Sequence, residues 1–161
     1  MKKILKFLGG ILILILIAAL YINFSGIPSY EVEKIDHEVV ATPESIAKGK
    51  KIVTTLCASC HMNQETGKLT GKHMLDAPTE FGVIYSQNIT QDKTHGIGDW
   101  TDSELIYLLR TGIKKDGKYA PPYMAKLPNM ADEDIDAIIS FLRSDDPMMK
   151  ADATPDQPCE P

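Results

Sequence analysis

Cysteine is scarce in this sequence: three occur in 161 residues, and no second C-x-x-C pair accompanies the one formed by Cys57 and Cys60. That excludes the four-ligand zinc site which two such pairs build. Two thiolates and a neighbouring imidazole in one tight run cannot spread around a tetrahedral metal. No internal repeat is found, and no stretch shows the two-residue alternation of a half-buried strand. Positive charge is also in the minority. The chain carries a formal −5, and residues 1–24 hold three lysines and no acid, so setting those aside leaves −8 on the remainder. Such a surface argues against nucleic acid as a partner and for a protein with a basic docking patch.

The residues that decide the reading are Cys57-Ala58-Ser59-Cys60-His61. Two thiols three positions apart on a turn of helix reach the two vinyl groups on one edge of a haem as thioethers, and the next residue is then set under the iron. A redox dithiol or half a zinc site uses the same pair of cysteines, but neither needs the adjacent histidine. The expectation is one covalent haem c, held by Cys57 and Cys60, with His61 as the proximal iron ligand.

The N-terminus supplies a compartment for such a group. Lys2, Lys3 and Lys6 precede an uncharged apolar run at 7–22, and the span 4–24 approaches the roughly 20 residues that cross a bilayer as a helix. Lysines on the short side favour an N-terminus kept in the cytoplasm. The expected location is the bacterial inner membrane, single-pass, with the haem domain in the periplasm. A cleaved signal peptide shares the basic start but ends in a small-x-small site, and none is found between Ala19 and Pro28. No cysteine near the run suggests lipid attachment. The expected division is an anchor at 1–24, a tether at 25–41, a haem domain at 42–144, and an acidic, proline-rich tail at 145–161, read as disordered or as the start of a linker.

Between tether and tail three helices are marked by their caps. Thr42 with Pro43 is an N-cap followed by proline at the first helical position. This helix runs into the haem motif with Ile46, Gly49, Val53 and Leu56 on one face. Thr101 to Glu104 is a capping box preceded by Trp100, which can staple onto Leu105, and that helix stops at Gly112. The last helix, at about 132–144, spaces Ile135, Ile138, Ile139 and Leu142 as a buried stripe. The fold class is therefore all-α. A small domain of this kind buries too little apolar surface alone, and a covalent haem completes its core.

The arrangement resembles the class I c-type cytochromes over about residues 43–143. Gly49 stands eight residues before Cys57, where the family has a helix-crossing glycine, and Phe141 in the last helix matches the aromatic residue packed over it. A glycine lets two backbones approach closely. Asn88-Ile89-Thr90, then Gly96-Ile97-Gly98-Asp99-Trp100-Thr101, resembles the cytochrome subunits of membrane-bound alcohol and sugar dehydrogenases. Ala131 departs from the family, which often has a serine cap there.

The resemblance implies a distal methionine in the stiff loop Ala120-Pro121-Pro122-Tyr123-Met124, and so names Met124 as the sixth ligand. Met130 is the rival, better explained as a staple onto Ile135, and a histidine or an open site is the remaining alternative. Trp100 has two readings, as a core or staple residue and as an indole N–H donor to a haem propionate. Tyr85, Asn88 and Thr90 are weaker candidates for the propionate. Pro78 is expected to support the loop whose carbonyl accepts the other ring N–H of His61. His37, His73 and His95 read as solvated surface residues. With both axial positions filled, no small-molecule substrate is expected. What remains is one-electron transfer between a dehydrogenase or quinol-oxidising complex and a terminal oxidase, kept near its partners by the anchor. Two alternatives stand beside this carrier: a haem enzyme or gas sensor with an open sixth position, and a fixed haem subunit of a dehydrogenase complex.

Overall fold

The computed structural model describes residues 2–26, 28–78, 80 and 82–158. Cys159, whose role the sequence leaves open, lies outside them. Five helices occur among the described residues: α1 (Lys2–Ser25), α2 (Pro43–Leu56), α3 (Ala58–His61), α4 (Asp102–Thr111) and α5 (Asp132–Leu142). The only β pairing among them is two isolated bridges, His73 with Tyr85 and Ile113 with Tyr119.

The helix ends follow the capping chemistry of the sequence. Thr42 Oγ1 accepts the Ser45 N–H at 3.1 Å while Ser45 Oγ accepts the Thr42 N–H at 2.9 Å, so a serine closes a box that glutamate usually closes. Thr101 and Glu104 make the expected pair at the start of α4, and Gly112 ends that helix in the left-handed conformation at φ 82°. Ala131 offers α5 no side-chain cap. In its place Asp132, Glu133 and Asp134 crowd the first turn, where negative charge meets the positive end of the helix dipole.

Helix α2 crosses α5 at Gly49. A Cβ built there would overlap the carbonyl oxygen of Ala137 and lie 2.9 Å from Phe141 Cβ, so only glycine permits this approach. Val53 from α2, Leu105, Ile106 and Leu109 from α4, and Ile135, Ile138, Ile139, Phe141 and Leu142 from α5 form one buried cluster, joined by Leu69 and Met149.

Two segments expected to be loose are packed. In the tether, Tyr30 N–H donates to the Gly117 carbonyl at 2.8 Å, Ile35 N–H donates to Ser103 Oγ at 2.7 Å, and His37 Nε2 lies 2.8 Å from Asp136 Oδ1. Ile35 and Val39 also lean on the core, so the segment is a strap across α4 and α5. In the tail, Met149 is fully buried, and the carbonyls of Met148 and Met149 accept from Leu69 and Gln91. Lys68 Nζ meets Asp152 at 2.7 Å. Disorder was expected because prolines and acids carry no periodic signal. One buried methionine and a ladder of hydrogen bonds to a distant loop hold the segment instead.

Candidate haem-attachment site

The turn that carries the motif begins where α2 ends. Cys57 caps α2 and at the same time opens α3, with its carbonyl accepting from the N–H of Cys60 at 3.1 Å and of His61 at 2.9 Å. This single helical turn places the two sulfurs three positions apart on one side, and both are free thiols. Burial, reinforced by the neighbouring Cys60, pushes the Cys57 thiol up to about 11, so it waits as a neutral thiol.

His61 is aimed by its second nitrogen. Its Nδ1 lies 2.7 Å from the Gln87 carbonyl oxygen. A carbonyl only accepts, so Nδ1 carries the proton and Nε2 keeps its lone pair in the neutral ring. Burial holds the imidazole below its usual pKa, against a smaller upward pull from the Gln87 carbonyl, and so keeps it neutral. The main chain of His61 is fixed as well, its carbonyl accepting from Gly71 N–H at 2.8 Å.

Pro78 plays no part in this contact. It sits exposed in the loop that the His73–Tyr85 bridge closes, while the accepting carbonyl comes two residues after Tyr85. Tyr85 stacks on His73 with ring centroids 5.0 Å apart. Asn88 and Thr90 are committed elsewhere too. The Asn88 amide donates to the carbonyls of Asp152 at 2.8 Å and Thr154 at 2.9 Å, and Thr90 Oγ1 donates to Asn88 Oδ1 at 2.7 Å. Both residues hold the C-terminal segment.

Met124 and Trp100 are half-buried against the core cluster, as are Met62, Ile89, Leu127 and Met130. The Met124 loop is fastened at both ends. Ala120 N–H donates to Gly112 at 2.6 Å, Leu127 N–H donates to Leu109 at 2.7 Å, and Met124 N–H closes a turn onto Pro121 at 3.0 Å. Arg110 bonds the carbonyls of Leu127 and Met130. Arg143 does the same for the Trp100 side through Ile97 and Trp100 carbonyls and Asp102. These two arginines were missed by sequence reading, since a cation in or after a last helical turn signals only the helix dipole. Lys115 Nζ lies 5.4 Å from the Trp100 ring centroid, and no hydrogen bond from the indole N–H occurs among the described residues.

The residues fit a covalent haem. Among the described residues no three His, Cys, Asp or Glu side chains gather to hold a metal ion by themselves. An iron here would need its remaining donors from a bound macrocycle. Paired free thiols, an imidazole with its lone pair kept available, and a rim of half-buried apolar side chains suit that group.

Fold and site together define a small helical domain built around a C-x-x-C-H turn. Residues 46–146 match the model of the Cytochrome c family, and the chain belongs to that family. Among curated proteins it is similar to the fructose dehydrogenase cytochrome subunit of Gluconobacter japonicus, 37% identical over 63% of this chain and 21% of that protein. It is also similar to the cytochrome c subunit of the quinone alcohol dehydrogenase of Gluconobacter oxydans, 35% identical over 62% of this chain and 21% of that one. The gluconate 2-dehydrogenase cytochrome c subunit of Pantoea cypripedii is 35% identical over 63% of this chain and 23% of its own length. The chain thus spans about a fifth of the length of these relatives.

Proposed function

We propose that this chain is a membrane-anchored periplasmic cytochrome c with one haem, which carries single electrons between a dehydrogenase or quinol-oxidising complex and a terminal acceptor. The observation that carries the reading is the pinned imidazole of His61 beside two free thiols. Cys57 and Cys60 would hold the haem covalently, and His61 through Nε2 and Met124 through its thioether would hold its iron. When bound, the iron exchanges one electron at a time. The protein contributes rigidity: Gln87 fixes the imidazole, while Arg110 and the backbone of the 112–127 region hold the Met124 loop. The chain itself needs no substrate site, and catalysis belongs to the partner. A second reading, a fixed haem subunit of a dehydrogenase complex, is supported by the similarity to cytochrome subunits of fructose, alcohol and gluconate dehydrogenases.

Haem staining of denaturing gels tests attachment, and carbon monoxide tests the sixth position. The unmutated protein should stain at its own mass and bind carbon monoxide poorly when reduced. Met124→Ala should bind it readily and have a lower potential, because a thioether opposite histidine favours reduced iron. A colourless band from cells able to mature c-type cytochromes would remove the attachment reading. Ready carbon monoxide binding by the unmutated protein would replace the carrier with an open-site enzyme or sensor. Co-purification with a dehydrogenase from solubilised membranes would favour the fixed subunit.

A further inference from the structure

We propose that Asp156 sets the donor strength of His61 through the peptide group joining Gln87 to Asn88. Both polar atoms of that peptide are engaged. Its oxygen, the Gln87 carbonyl, accepts from His61 Nδ1 at 2.7 Å, and its N–H, on Asn88, donates to Asp156 Oδ1 at 2.7 Å. A carboxylate that accepts from one end of an amide drives electron density toward the other end. Hydrogen bonds linked in this way strengthen one another by on the order of 10–30% each. The carbonyl becomes a better acceptor for the imidazole N–H, and the imidazole a richer donor at Nε2. A stronger donor favours oxidised iron, so the relay holds the reduction potential down.

The carboxylate is delivered by an arm that is built in. From the buried Met149 the chain runs to Asp152, which is paired with Lys68, and its N–H donates to Thr90 Oγ1 at 3.3 Å. The Asn88 side chain then takes the carbonyls of Asp152 and Thr154, so one residue grips the arm with its amide and receives the carboxylate on its own N–H. Asp156 is a positioning residue in this scheme, since it touches neither haem nor iron. The inference rests on His61 being the proximal ligand.

The test uses the full-length holoprotein. Midpoint potentials are measured by spectroelectrochemical titration for the unmutated chain, Asp156→Asn, Asp156→Ala, Asp156→Glu and Asp145→Asn. Asp145 is exposed and lies in the same C-terminal region, and takes part in no hydrogen bond among the described residues, so its variant removes a charge alone. Asp156→Asn and Asp156→Ala should raise the potential, Asp156→Glu should restore it at least in part, and Asp145→Asn should change it little. The shift should persist at about 1 M salt, where the screening length falls to about 3 Å. Hydrogen exchange at the Asn88 amide should quicken several-fold in Asp156→Ala. An unmoved potential in Asp156→Asn, or equal shifts in Asp156→Asn and Asp145→Asn that vanish in salt, would overturn the relay. A low-spin haem spectrum in the unmutated protein separates these failures from failure of the site, because without it site and relay fall together.

Discussion

Lys68 and Asp152 form the ion pair that ties the C-terminal arm to the loop after the haem motif. The Lys68 ammonium, helped by the Thr154 hydroxyl, holds the Asp152 carboxyl down to about 2, against an ordinary 3.8. A carboxyl depressed on folding contributes stability above its unfolded value and loses it as the pH falls through its folded value. The arm should therefore loosen between about pH 4 and pH 2, read as faster amide exchange at Leu69 and Gln91, whose N–H groups donate to the arm. Lys68→Met should loosen the arm already at neutral pH and flatten this acid step. An acid step of unchanged size in that variant would show that another carboxyl releases the arm. At this scale the sequence displayed the C-x-x-C-H turn and hid its supports. Cys57, Cys60 and His61 are legible because the chemistry requires those side chains in that order. Gln87 acts through its carbonyl and leaves no trace in residue type, and Asn88 and Thr90 gave no sign that their partners lie more than 60 positions away.

Helices were the legible elements because caps and stripes are local. Thr42 and the Thr101–Glu104 box start α2 and α4 through their side chains, Gly112 ends α4 through its left-handed backbone, and the three- and four-residue spacing of Ile135, Ile138, Ile139 and Leu142 marks the inward face of α5. The α2–α5 crossing was expected on resemblance, and the structure gives its cause in the space at Gly49. Gly49→Ala should accordingly part the two helices, since the Ala137 carbonyl is backbone and cannot turn aside. Overpacking of a buried contact costs about 1–3 kcal/mol, and this one should lie at the upper end. Urea titration of the holoprotein, following haem absorbance, measures it. A loss under about 0.5 kcal/mol, the scale of an ordinary surface change, would mean that the crossing is looser than this geometry. The elements that resisted reading, the strap and the arm, have no period and no cap. What orders them is contact with residues far along the chain, which no window of sequence contains.

For the molecule as a whole the strap changes what an anchor would do. Helix α1 contains a 20-residue candidate span, Lys6–Ser25, whose 18-residue apolar window has a mean hydropathy of 2.5, and none of that window is buried against the rest of the protein. A 20-residue helix is about 30 Å long, the thickness of a bilayer's hydrocarbon core. From Ser25, where α1 ends, to Tyr30, already bonded to Gly117, only residues 26–29 intervene. Four residues reach about 14 Å fully extended, so an anchored domain would be held close to the membrane face instead of ranging on a free tether. Such a leash raises the local concentration of haem domain near membrane partners and limits which of its faces they meet. Two measurements decide it. Intact mass of protein extracted from membranes should include the first 24 residues, and brief proteolysis of opened cells should cut at 26–29 and release a soluble haem domain that keeps Tyr30 and the strap. A mature start between Asn23 and Ser29, with the protein in the soluble periplasmic fraction, would show α1 to be a signal sequence and leave the strap as packing alone.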